Sequence, residues 1–197
     1  MVFHSAAFFN FFVVVYTVSF LLSAASRRYP GSSLPFQTGK FFLLAASYYF
    51  YAYWDVRFLA LIIVSTLVDF WAGARIFRAA DKKTKKFYLS ISLLVNLGIL
   101  GFFKYCNFFI GSANLILQDA GFTVAYLDIV LPVGISFYTF QSMSYSLDIY
   151  FGKLKPAKTF VDFAFYVTFF PQLVAGPIVR ARQFLPQLLR PAELSNE

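Results

Sequence analysis

Long apolar runs separated by short basic clusters organise the chain. Residues 6–25 carry no charged side chain and end before Arg27 and Arg28, which predicts a first membrane span. Residues 41–54 and 58–77 form two further apolar segments around a turn holding Asp55 and Arg57. The most basic stretch, from Arg78 to Lys86, comes next. Residues 87–117 are apolar apart from Lys104 and a few amides and small polar groups, and 131–150 read as another span. Between them, 118–130 holds Asp119 and Asp128 and no basic residue. After Lys153, Lys155 and Lys158, the run 160–184 starts like a span. It is then interrupted at Pro171 and at Gly176-Pro177, and carries Arg180 and Arg182 beyond the break.

Lys and Arg beside spans favour the cytoplasm, so the loops 26–40, 78–86 and 152–158 are assigned there, with the N-terminus outside. Successive cytoplasmic loops must be separated by an even number of crossings. The segments 41–54 and 58–77 supply one pair. The second pair is 131–150 with 87–117, which is therefore one long, kinked crossing. Tyr48, Tyr49, Tyr51, Tyr53 and Trp54 crowd the outer turn, as an aromatic belt does. Lys104 then lies toward the outer end of its span, where its long side chain snorkels to the headgroups. The expected fold is an all-α, polytopic transmembrane helical bundle, one membrane domain across 1–197 with no separate soluble domain.

The broken run is expected to be re-entrant. A full crossing would carry Arg180 and Arg182 outside or strand them at membrane depth, whereas a turn at the break returns both to the cytoplasm. Proline removes an amide donor, and irregular backbone at membrane depth is tolerated only when buried in protein or lining a wet cavity. The same residues also admit a plain amphipathic helix on the inner surface.

In LPVGISFYTFQSMSYSLDIY, residues 131–150, Tyr138, Gln141, Tyr145 and Asp148 share a narrow helical stripe, with Phe140, Met143 and Leu147 opposite. Polar groups on a membrane helix avoid lipid, so the stripe faces the bundle or water. It reads as one wall of a substrate path. Alternatively, Gln141 is interhelical hydrogen-bond glue and Asp148 an interfacial charge paired to the lysine loop that follows it.

Composition supports the membrane reading. Hydrophobic residues make up 59% of the chain and charged ones 13%, about half the usual share, and a soluble domain of this size lacks the interior to hide so much apolar surface. The net charge of +8 sits in the loops, which argues against a nucleic-acid groove. No positive charge precedes residues 6–25, as a signal peptide requires. Cys106 stands alone and reads as a small apolar filler, and the single histidine, His4, reads as an exposed terminal residue. No metal-binding or catalytic motif appears, so no catalytic or metal-ligating residue is assigned.

Two stretches carry a resemblance: 131–150, and PAKTFVDFAFYVTFFPQLVAGPIVRARQFLPQL after it. With YYFYAYWDVRFLALIIVS and NLGILGFFKYCNFF, they resemble the membrane-bound O-acyltransferase family, in particular its branch that O-acetylates bacterial exopolysaccharides such as alginate. The resemblance runs from near the N-terminus to about Leu188. It implies a multi-pass enzyme of the bacterial inner membrane built around a funnel or tunnel. The acyl donor would be cytoplasmic, acetyl-CoA or an acyl carrier, with no cofactor bound. A polysaccharide would be the acceptor, helped by periplasmic or membrane-anchored acetylation proteins. The family's essential histidine lies on a later membrane segment with no counterpart here, which implies that these 197 residues alone are inactive. The matching positions, Pro132 to Asp148 and the break from Phe170 through Gln172 to Pro177 with Arg180 after it, would shape the path. A transporter-like or docking membrane subunit without covalent chemistry is the competing reading.

Overall fold

The computed structural model describes residues 5–29, 34–118, 121–176 and 179–189. His4, Asp119, Pro177 and the tail after Leu189 lie outside them. The described residues form helices α1 (Ala6–Arg28), α2 (Leu34–Ala52), α3 (Val56–Arg78), α4 (Lys82–Leu100), α5 (Cys106–Leu117), α6 (Ile135–Tyr150), α7 (Phe160–Thr168), α8 (Phe170–Ala175) and α9 (Ala181–Phe184). No strand occurs among them.

Local chemistry explains where the helices start and stop. Ser5, Asp55, Asp81 and Thr159 sit at the N-caps of α1, α3, α4 and α7, and each side chain accepts a first-turn amide. The Thr84 N–H, at 2.7 Å, holds the Asp81 carboxyl below its usual range. Arg27 and Arg28 close α1, and Arg75 and Arg78 close α3, cations at the negative helix ends. At the end of α6, Gly152 adopts φ 70°. Its N–H reaches the Ile149 carbonyl at 3.0 Å and the Lys153 N–H reaches that of Asp148 at 2.8 Å, which together satisfy the orphan carbonyls of the last turn.

Helix α3 is central and packs against α2, α4, α6 and α7. Its buried residues, Phe58, Ile62, Ser65, Thr66, Asp69, Ala72, Gly73 and Ile76, recur at helical spacing. Helix α4 also packs on α6, and α2 on α7 and α8. Helix α1 lies on α2 with Val15 its buried residue, and it exposes Phe9, Val14, Tyr16 and Leu21. Helix α5 likewise exposes Phe108, Phe109, Leu115 and Ile116. Such a surface suits lipid. Among the described residues, Ala6–Arg28, Val56–Arg78 and Lys82–Leu117 are long and apolar enough to cross a membrane. The protein is an all-α, multi-pass membrane protein.

The last of these spans joins α4 and α5 through a π-helical segment, Gly101–Tyr105, in one helical rod of 36 residues. Helix α2 begins at Leu34, ahead of the expected residue 41. Lys40 is therefore a helix residue, although its sequence surroundings read as a loop. Helix α6 begins at Ile135, behind a turn at Gly134 with φ 75°, and not at residue 131. Residues 121–133 form an irregular strap along α5. Asn107 and Asn114 hold it: each side-chain amide exchanges two hydrogen bonds with a strap residue, Leu127 at 2.8 and 3.0 Å, and Val124 at 2.9 and 2.8 Å.

Candidate functional site

The broken run forms two short helices meeting at Phe169, whose φ −55° and ψ 107° interrupt the helical path. Helix α7 starts firmly. Thr159 accepts the Asp162 N–H at 3.1 Å and donates its hydroxyl to the Asp162 carboxylate at 2.8 Å. The other carboxylate oxygen takes a salt bridge of 2.9 Å from Lys40 of α2, with both side chains buried. The Lys40 ammonium also lies over the Phe36 ring, 4.7 Å from its centre. This pair ties the start of α7 to α2.

At the break, two neighbours supply what the helix no longer can. Gln141 of α6 donates its side-chain amide to the Tyr166 carbonyl at 2.7 Å. The Ser47 hydroxyl of α2 accepts the Phe170 N–H at 3.3 Å while donating to the Leu43 carbonyl at 2.8 Å. The Tyr166 hydroxyl donates to the Val179 carbonyl at 3.0 Å, beyond α8. Interrupted backbone in an apolar setting is costly unless its polar groups are paired. Gly176 then turns the chain where space is short, since a Cβ there would meet the Gln172 Cα at 2.7 Å.

The stripe predicted on α6 divides in two. Tyr145 is fully buried, accepts the Ala157 N–H at 3.1 Å, and packs its ring on Phe163 with centres 4.2 Å apart. Gln141 is buried and committed to the break. Tyr138 is fully buried, yet its hydroxyl has no hydrogen-bond partner among the described residues. The same is true of one Asp148 carboxylate oxygen, the Gln172 side-chain carbonyl and the Thr139 hydroxyl. Helices α8 and α9 both pack on α6, which brings Gln172 and the start of α9 to this side of the bundle. Arg180 caps α9 and is exposed, as is Arg182. On the face read as opposite, Phe140 is exposed whereas Met143 and Leu147 are half-buried. Gln141 and Tyr145 thus each bond a backbone group of the protein. Tyr138, Asp148 and Gln172 retain groups able to meet an entering polar molecule.

The buried face of α6 also includes Ser142 and Ser146, which sequence reasoning passed over. With Ser65 and Asp69 of α3 and Ser92 and Asn96 of α4, they form a polar cluster inside the bundle. The readable signal was three pairs of polar residues, each four apart, on three apolar helices. Among the described residues, no group of three or more His, Cys, Asp or Glu side chains could hold a metal ion.

Known proteins resemble this arrangement in sequence. A probable alginate O-acetylase of Azotobacter vinelandii is 38% identical over 191 residues, covering 95% of this chain and 36% of that protein. A probable alginate O-acetylase of Pseudomonas aeruginosa is 39% identical over 190 residues, or 95% and 34%. A peptidoglycan O-acetyltransferase of Helicobacter pylori is 34% identical over 172 residues, or 75% and 32%. The chain spans about a third of the length of these curated relatives. No family model matches it, and no solved structure does. Near-complete coverage at such identity, on a multi-pass helical bundle, leaves one conclusion: the chain belongs to the membrane-bound O-acyltransferase family.

Proposed function

We propose that the protein is an O-acetyltransferase of the bacterial inner membrane that takes acetyl groups from a cytoplasmic donor and passes them toward an envelope polysaccharide. The observation that carries this reading is 38% identity, across 95% of the chain, to a protein named alginate O-acetylase. A relative named peptidoglycan O-acetyltransferase keeps a second acceptor class in view beside alginate-like exopolysaccharide. In this reading the N-terminus is outside, and α7 and α8 re-enter from the cytoplasmic side before the chain turns back. Arg180 and Arg182 stand at the mouth and attract the phosphates of acetyl-CoA or the acidic surface of an acyl carrier. Tyr138, Asp148 and Gln172, with their free polar atoms, line the path. Periplasmic or membrane-anchored acetylation proteins receive the group on the far side.

The test uses membranes containing the complete protein, supplied with labelled acetyl donor and acceptor polymer. Transfer of label to polysaccharide, above that of membranes lacking the protein, is the expected result. No covalent product from either acetyl-CoA or a charged carrier, with folded protein present, overturns the reading. A broken helix beside unpaired polar groups is also a transporter feature. That second reading is favoured if labelled solute crosses the membrane and no acetyl ester forms.

A further inference from the structure

Asp69 is the most completely buried acid among the described residues, with no exposed surface at mid-span in α3. No lysine or arginine among the described residues pairs with it. Donors surround it instead: the hydroxyls of Ser92 and Ser142, and the Asn96 side-chain amide at 2.8 Å. The orientation of Asn96 is settled by its neighbours. Its second N–H goes to the Ser92 carbonyl at 2.9 Å, and its oxygen accepts the Ser65 hydroxyl at 2.7 Å. A hydroxyl has one proton. When Ser92 gives its proton to Asp69, the 3.0 Å contact with Ser146 requires Ser146 to donate to Ser92. Three polar neighbours thus converge on one buried carboxyl group that has no counter-ion among the described residues.

The geometry of α6 follows from this hub. Ser142 meets Asp69 of α3, and one turn on, Ser146 meets Ser92 of α4. One turn along α3, Gly73 receives Tyr145 and Ile149 so closely that a Cβ there would lie 2.8 and 2.9 Å from them. Contacts on two partners, a turn apart, fix both the rotation and the height of α6. Gln141, the residue beside Ser142, reaches the Tyr166 carbonyl at the end of α7. A rotation of α6 that released Ser142 would withdraw Gln141.

We infer that Asp69 is a positioning residue: through Ser142 it sets the rotation of α6, and through Gln141 it holds the broken end of α7 closed. The coupling rests on hydrogen-bond geometry alone, and its value for acetyl transfer rests on the function proposed above. The test therefore reads conformation and not activity. In the complete protein, in membranes, with Cys106 and any cysteine outside these 197 residues replaced by Ser, the buried Thr168 at the end of α7 is replaced by Thr168→Cys. Its labelling by a small membrane-permeant thiol reagent reports opening of the break. A Leu100→Cys reporter on α4 measures general loosening.

Asp69→Ala is expected to speed labelling at position 168 at least tenfold and at position 100 less than twofold. Asp69→Asn restores the shape, because the serines can turn to accept as well as donate, and labelling stays within twofold of the parent at both positions. Gln141→Leu reproduces the effect of Asp69→Ala. The two together label no faster than the faster single variant. If Asp69→Ala does not fold, Ser142→Ala carries the same expectation, with Ser65→Ala, whose hydroxyl bonds Asn96 and not Asp69, as the weaker comparison. Equal acceleration at both reporters overturns the inference, as do an unchanged rate at position 168, additive effects of Asp69→Ala and Gln141→Leu, or an Asp69→Asn variant as open as Asp69→Ala.

Discussion

Lys40 and Asp162 bury two opposite charges against each other, and neither can be removed alone without stranding its partner. Lys40→Met is expected to lower stability by about 3–5 kcal/mol, because Asp162 would stay buried without its cation. Lys40→Met with Asp162→Asn should recover most of that loss, since the amide still accepts the Thr159 hydroxyl. Denaturation midpoints of purified protein in detergent, single against double variant, provide the comparison. At this scale the sequence was only partly legible. Asp162 is three residues past a capping threonine and could be placed at a helix start. Its partner lies 122 positions earlier, a distance no local pattern spans. Lys40 looked like part of a basic loop because Arg27, Arg28, Pro30 and Gly31 precede it. Asp69 was hidden for the opposite reason, being one acid in a run whose remaining residues describe an ordinary span.

Helices α7 and α8 exist as separate elements because their exposed backbone groups have partners elsewhere. Pro171 and Gly176 announced the interruption in the sequence, and the physics of buried amides required that something answer it. What answered, Ser47 and Gln141, was out of reach of periodicity. Ser47 is a small residue in a helix of aromatic and apolar neighbours. Gln141 carried the right suspicion, a polar residue facing inward, and both readings of it were tenable. Its amide is the glue of the second reading, applied at the junction on which the first depends. Ser47→Ala leaves the Phe170 N–H without its acceptor. It should cost about 1–3 kcal/mol, the ordinary penalty for an unpaired buried polar group. Amide exchange at Phe170, measured by mass spectrometry in detergent, should rise while exchange in the middle of α3 holds steady.

Over the whole molecule, the alternation of charge gave the clearest guide. The Asp55–Arg57 turn and the strap come together around one cleft of about 410 Å³, lined by Arg57, Phe58, Phe103 and Asp128 among others. The basic turn after α3 leads to α4 in the opposite direction, as a hairpin of packed neighbours demands. The proposed orientation rests on the positive-inside preference, and cysteine labelling tests it. With Cys106 and any cysteine outside these 197 residues replaced by Ser, Gln118→Cys should react with an impermeant reagent added outside, and Asp81→Cys should not. The reverse pattern would invert the molecule in its membrane. The strap itself was invisible in the sequence, where 118–130 showed little beyond the absence of basic residues. Yet its two asparagine clamps impose a numerical condition. Seven residues of helix, from Asn107 to Asn114, rise about 10.5 Å. Three residues of extended chain, from Val124 to Leu127, cover about 10 Å. The helix and the strap therefore work as a vernier, two scales of different pitch that coincide at these marks. One residue gained or lost between Val124 and Leu127 throws the scales out of step, whereas a change in the loop before Phe122 leaves both marks aligned.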